Sequence, residues 1–452
     1  MGRVIVAALL TAVSVLSLVA PWVGTVAGYL FVAMTPQDVW YWDFVGFRPE
    51  FWMLCATGIG FVIAIVTRRV RFETLKNRRT LFLMILMLCF VTSYYFGPFT
   101  QVSGPYRFQS AVYRYDELYK IAILFIMASV CIDRESRLKA LYGVLVMAGV
   151  YMTYWANHQY LSGHYFGRLN GPASPFGQGM YTDQNSFAML FVVLQPFIWY
   201  TGAIQRRPLA KWAIWLIIPF CWSAVFLTGS RGGLLGLGVT ILLFALRSER
   251  RIIGLALIPA FILVFVWQGG SVMKERAVRI TEYHQKGSAE DRLQSWRAAL
   301  RMIRAHPLSG VGLASYGPAF PHYSDKKPRE AHNTLLQIAA ESGVLAGIMY
   351  IAIVVSSLRA LWRNGIRLKR ESQDAMYTFL FAANEATLVA FTGLVVCSVF
   401  LSLQDFEIFY CLVVMTNSVL FLSRGQRESG GASNSVQTVA VMASSQWGGN
   451  DL

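Results

Sequence analysis

Apolar runs of about 15 to 25 residues recur from one end of this chain to the other, each long enough to cross a bilayer as a helix. That pattern leaves few folds open. In lipid, every backbone N–H and C=O must be satisfied within the protein, which only helices and closed barrels achieve, and runs this continuous are helical. Charged residues are only 14% of the 452, against about 25% in soluble domains. The expected class is an all-α polytopic membrane protein.

The run over 4–34 is interrupted by Pro21-Trp22-Val23-Gly24, and it reads as one broken span or two short ones. Leu18-Val19-Ala20 matches a signal-peptidase pattern, but further spans follow at once and favour an uncleaved first helix. Other spans are expected near 51–67, 80–96, 117–132, 140–156, 185–203, 212–228, 252–267, 333–357, 377–402 and 406–422. With the apolar run that starts just after Arg231, the chain reads as about twelve transmembrane helices, or thirteen if the first run counts twice. The expected division is 1–267 for the N-terminal helices, 268–332 for a long outer loop and 333–423 for the C-terminal helices. The tail over 424–452, rich in Ser, Gly and Gln, reads as a disordered cytoplasmic segment.

The net charge of +16 does not point to nucleic acid. Basic residues cluster in short connections, around Arg68 to Arg79, Arg206 to Lys211, Arg247 to Arg251 and Arg359 to Arg370, as the positive-inside rule expects of cytoplasmic loops. Six cysteines lie in or beside apolar runs without paired metal-site spacing, and read as small apolar residues.

Chemistry gathers on the other side. At Glu330-Ala331-His332-Asn333 a polar loop meets an apolar run, and His332 sits at that boundary. Asn333, Gln337 and Glu341 recur every four residues and form one polar stripe on a helix, which should brace the bundle interior rather than face lipid. Glu330 stands beside His332 as a supporting carboxylate, whereas Glu341 lies about 13 Å further along the helix on nearly the opposite face. Arg231 follows Gly229-Ser230 between two spans with almost no linker; Gly232 and Gly236 behind it allow close helix packing. Arg168 lies in an outer loop rich in Gly, Pro and Asn, and Asp183 or Asn185 stands where the next helix should be capped. Glu385 lies inside an apolar run and calls for a basic partner from a nearby loop.

The loop 268–331 holds six acids and eleven Lys and Arg residues. Within it, Glu290 to Arg304 has the pattern of an amphipathic helix ending at His306-Pro307, with Leu293, Trp296, Leu300 and Ile303 as its apolar stripe. Arg292 and Arg297 are on it. Such a helix lies on the membrane surface near anionic headgroups, supplies an arginine to a phosphate, or does both.

Several arginines with one histidine, and no cluster suited to a metal, fit an anionic phosphate ligand and a proton acceptor. No nucleotide-binding glycine pattern precedes a strand. No metal or cofactor is expected.

These residues carry a resemblance. Ser230-Arg231-Gly232-Gly233, Arg292 with Trp296 running into His306-Pro307-Leu308-Ser309-Gly310-Val311-Gly312, and His332-Asn333 with Glu341-Ser342-Gly343 together resemble the bacterial O-antigen ligase superfamily. That superfamily includes O-antigen polymerases and O-oligosaccharyltransferases; Arg168 to Asn185 is most similar to its O-glycosylation ligase branch. The resemblance implies a GT-C-like glycosyltransferase of the bacterial inner membrane with its site on the periplasmic face. It would transfer a glycan from undecaprenyl pyrophosphate to a sugar hydroxyl of lipid A-core, without metal and with inversion. On that reading His332 is the general base and Arg231 and Arg292 hold the pyrophosphate. Arg168 and Arg297 join them on position and charge. A polymerase or protein-directed transferase shares this donor and differs in acceptor. A lipid or glycan transporter would instead place ionisable groups near the bilayer midplane, whereas the candidates here gather at one face.

Overall fold

A computed structural model describes residues 2–44, 49–101, 110–164, 168–173, 180–247, 259–263, 286–371 and 378–425. Most of the expected span over 252–267, the glycine-rich stretch 174–179 and the tail beyond 425 lie outside these residues. The described chain is helical and contains no strand.

The first apolar run is two helices, α1 (Gly2–Val19) and α2 (Pro21–Met34). Pro21 removes an N–H at the first position of α2, where none is needed, so the chain turns there. Gly24 packs back on Ser17 and against Thr57 of α4 (Pro49–Val66), approaches that a Cβ would block. A single turn, α3 (Pro36–Val39), separates α2 from α4. Then come α5 (Arg78–Phe96), α6 (Ala111–Cys131), α7 (Glu135–Leu161) and α8 (Gln184–Ala203). Asn77, Ser110 and Asp183 cap α5, α6 and α8 with their side chains.

Helix α8 is apolar all round and buried along most of its length, at the centre of the bundle. It is enclosed by α7, by α9 (Pro208–Trp215) with α10 (Ile217–Thr228), by α11 (Arg231–Arg247) and by α16 (Phe379–Ser398). Its mid-helix Gln195 donates to Thr240 Oγ1 at 2.7 Å and accepts from Trp222 Nε1 at 3.0 Å, so the amide is satisfied inside the core. Small residues set the closest approach: a Cβ on Gly236 would lie 2.5 Å from Cys397 Sγ, and one on Gly233 2.6 Å from Ala188 Cβ.

Four helices follow: α12 (Lys286–Ala305), α13 (Tyr316–Tyr323), α14 (Thr334–Ser342) and α15 (Val344–Glu371). The last described helix, α17, runs over Glu407–Gly425. The expected single span at 333–357 is therefore divided. Gly343, at φ +89°, breaks it into α14 and α15, because residues 340–344 hydrogen-bond to residues 307–312. A small second core of Ala298, Ala299, Met302, Val311, Tyr316, Phe320, Ala331 and Ala340 fastens α12 and α13 onto α14.

Among the described residues, six helices are long and apolar enough to cross a membrane: α5, α8, Pro208–Thr228, α15, α16 and α17. Shorter apolar helices occur at Ala8–Val19, Pro21–Met34 and Phe51–Val66. The expected twelve is not reached among the described residues, for concrete reasons. Helix α6 carries Arg114, Asp116, Glu117 and Lys120 in its first turns, α11 has 17 described residues, and most of 252–267 lies outside the described residues.

Contacts between helix ends fall into two sets. At one end the basic residues are individually held: Arg79 by Asn417, Arg137 by Asp133, Arg247 by Glu385 and Arg367 by Asn364. The other end gathers α12, α13 and α14 with the connections near residues 97–100, 168–173, 180–186, 228–231, 306–316 and 399–406.

Candidate functional site

At that second end, α10 stops at Gly229, which takes the left-handed conformation (φ +60°), and α11 begins at Arg231. The turn between them is held from two sides. Ser230 Oγ donates to Asn185 Oδ1 at 2.8 Å, while Arg168 Nε donates to the carbonyl of Thr228 at 3.0 Å. Asp183 uses one carboxylate oxygen to accept from the N–H groups of Asn185 and Ser186 at 3.0 Å each. It is thus a helix cap, while its neighbour Asn185 reaches the arginine turn. Arg231 itself is exposed at the first position of α11, with its guanidinium unpaired among the described residues.

His332 lies just before α14, on the connection over residues 399–402. Its backbone is left-handed (φ +47°), a conformation unusual for any residue but Gly. Three successive hydrogen bonds hold that segment onto residues 399–402. The His332 N–H donates to Ser402 Oγ at 3.1 Å, Asn333 Nδ2 donates to Val399 O at 3.3 Å, and Thr334 Oγ1 donates to Leu401 O at 2.8 Å. Asn333 also caps α14 by accepting from the Leu336 N–H at 3.0 Å. The imidazole is exposed and makes no hydrogen bond among the described residues.

Phe400 completes the link. The Arg292 guanidinium lies over its ring, 5.7 Å from the centroid, and Gly232 packs so close that a Cβ there would lie 3.0 Å from Phe400 Cβ. The connection Val399–Ser402 therefore touches the segment of His332, the side chain of Arg292 and the residue next to Arg231. Three residues singled out separately in the sequence are arranged around one short connection that was not. Arg168 joins them through the Thr228 carbonyl. Arg297 does not: five residues from Arg292, it lies roughly 140° around α12 and is exposed on the far side. Glu330 is exposed beside His332 and makes no hydrogen bond or ion pair among the described residues.

The polar stripe on α14 faces inward. Glu341 is buried, and its carboxylate accepts from the N–H groups of Ala314 at 3.0 Å and Tyr316 at 3.2 Å, from Gln337 Nε2 at 3.1 Å and from Gln404 Nε2 at 2.7 Å. Burial pushes this carboxyl above its ordinary range, opposed by the Gln404 amide, the Arg114 charge and the Tyr316 N–H. Burial likewise raises the Tyr316 phenol, whose hydroxyl donates to Ser295 O at 2.6 Å. Glu341 and Gln404 thus tie the outer layer to the 399–406 connection, and an Arg114–Asp405 ion pair ties that connection to α6. Trp296 Nε1 donates to Ala331 O at 3.0 Å, which sets α12 directly against the residue before His332.

The assembled site has an unpaired imidazole, an unpaired guanidinium and a second guanidinium held on an aromatic ring. That set can accept a proton and bind a multiply charged oxyanion. No group of three or more His, Cys, Asp or Glu suited to a metal occurs among the described residues. Residues 212–351 match the family model for O-antigen ligase, a segment that contains Arg231, Arg292 and His332. No curated protein matches the chain.

Proposed function

We propose that this chain, whose residues 212–351 match the family model for O-antigen ligase, transfers a glycan from undecaprenyl pyrophosphate to a sugar hydroxyl of lipid A-core at the periplasmic face of the inner membrane. The observation that carries the reading is the grouping of His332, Arg231 and Arg292 around Val399–Ser402.

The chemistry follows from these groups. A neutral imidazole at His332 takes the proton of the acceptor hydroxyl, and the oxygen attacks the anomeric carbon of the donor sugar. The bond from that carbon to the pyrophosphate oxygen breaks, and its electron pair leaves with undecaprenyl pyrophosphate. Attack opposite the leaving group inverts the anomeric centre. Arg231 and Arg292 offset the growing negative charge on the leaving group, with the planar guanidinium matching two phosphate oxygens at once. Arg168 supports the arrangement by holding the Thr228 carbonyl beside the arginine turn. The proton on His332 then passes to water or to the departing pyrophosphate.

The test uses purified full-length protein, a lipid-pyrophosphate-linked glycan and a lipid A-core acceptor, without added metal or nucleotide. Conjugate should form with wild type and fall to background with His332→Ala at unchanged thermal stability. Full activity in that variant would overturn the mechanism. Lengthening of the donor glycan without the core acceptor would move the assignment to a polymerase. Arg231→Lys should lose most activity, because an ammonium cannot make the two-pronged contact.

A further inference from the structure

Helix α12 has a second face that the transfer site does not use. Ser295, Ala298, Ala299 and Met302 point into the small core. Outward lie Leu293 and Leu300, 50% and 45% exposed, with the exposed Arg297 and Arg304 alongside. Each pair is seven residues apart, two helical turns, so all four share one side of the helix. Neither arginine has an ion pair among the described residues, and no acid stands three or four positions from either. Of the two acids on α12, Glu290 is the one toward that side, near its N-terminal end.

What this face meets is indicated by the chain that follows it. Leu308, 88% exposed, comes just after α12, and its position is fixed on the start of α15. The Val344 N–H donates to Pro307 O at 2.8 Å, and Gly343 packs against Leu308 O so closely that a Cβ would lie 2.1 Å away. From there α15, a helix long and apolar enough to span a bilayer, presents Val344, Leu345, Ile348 and Ile351 outward, 39% to 52% exposed. An apolar row left bare on a spanning helix faces acyl chains. Leu308 stands at the head of that row, where hydrocarbon gives way to headgroups. Arginines at this level extend toward phosphates while leucines settle into the acyl boundary.

We infer that the Leu293, Arg297, Leu300, Arg304 and Leu308 face is a docking site for anionic phospholipid headgroups of the leaflet on the site's side. One helix then has two duties: Arg292 faces Phe400 and the transfer site, and Arg297 and Arg304 hold the helix to the membrane. This depends on the membrane placement and not on glycosyl transfer.

The experiment uses the full chain in nanodiscs of phosphatidylcholine, alone or mixed with phosphatidylglycerol, read by hydrogen exchange and by an environment-sensitive fluorophore on Leu308→Cys. With the anionic lipid, exchange at amides 297–305 should slow by roughly tenfold or more, the scale for two arginines at an anionic surface. Salt should weaken the effect. Arg297→Gln with Arg304→Gln should abolish it at an unchanged unfolding midpoint. The fluorophore should be quenched by lipids spin-labelled near the headgroup. Equal exchange in both nanodiscs, an unchanged response in the double variant, or a fluorophore out of reach of the labelled lipid would each overturn the inference. Neither readout uses transfer activity, so failure here leaves the enzymatic reading standing.

Discussion

Ser402 accepts the backbone N–H of His332 at 3.1 Å, and it does so while His332 is in the left-handed region. A non-glycine residue stays there only if its surroundings hold it. Ser402, with Val399 and Leu401 accepting from the next two side chains, forms that support. Ser402→Ala should therefore lower turnover more than it changes the apparent affinity for the lipid-linked donor. Loss of one such hydrogen bond is worth about 0.5–1.5 kcal/mol, or roughly a 2- to 12-fold drop. Steady-state kinetics decide it: a rise in KM with unchanged kcat would mean that Ser402 serves binding and not the placement of His332.

Much of this was legible in the chain itself. The amphipathic period gave α12 to within a few residues, the Asp at 183 marked a helix cap, and His332 stood at a visible loop–helix boundary. The opposed directions of Arg292 and Arg297 follow from a five-residue spacing on a helix. The Val399–Gln404 connection was not legible. Val399-Phe400-Leu401-Ser402-Leu403-Gln404 has the composition of a membrane helix end, and its importance lies in what distant segments rest on it. The break at Gly343 was hidden for the same reason. Its left-handed backbone is imposed by residues 307–312, while local propensity favours continuing the helix.

That break predicts an unusually intolerant glycine. Gly310 and Gly343 lie across one seam, where a Cβ on the first would sit 2.1 Å from Glu341 O and a Cβ on the second 2.1 Å from Leu308 O. Gly343 has φ +89° and ψ 168°, a region essentially reserved for glycine. Gly343→Ala should destabilise by more than about 2 kcal/mol, visible as a lower unfolding midpoint. Gly317→Ala, in α13 with nothing within 4 Å of the added carbon, is the control; it should be neutral or stabilising by up to about 1 kcal/mol. Equal midpoints for the two variants would remove the seam as a structural constraint.

At the opposite end of the bundle, Glu385 is 1% exposed and paired with Arg247 through both carboxylate oxygens, the longer contact at 2.8 Å. Arg247 also lies over the Trp362 ring, 4.6 Å from its centroid, and Asn384 donates to Glu385 at 3.1 Å. This supplies the basic partner that a carboxylate inside an apolar run requires. Arg247→Ala should cost about 3–5 kcal/mol, because the carboxylate is left buried and unpaired. Adding Glu385→Leu should recover most of that loss. A double variant no better than Arg247→Ala would show that packing on Trp362, and not the charge, supplies the stability.

Asp38 predicts a pH dependence of known sign. It sits in α3, and burial raises its carboxyl to about 6, from an ordinary 3.8. A group whose folded-state value is raised binds its proton more tightly when folded. Its stabilising contribution is fully present below the ordinary value and fades as pH rises through about 6. Wild-type stability should therefore fall between pH 4 and 7 relative to Asp38→Asn, whose amide does not ionise. Thermal unfolding of both proteins across that range, in one detergent and at one ionic strength, gives the difference directly. Parallel curves would mean that Asp38 ionises as freely in the folded chain as in the unfolded one.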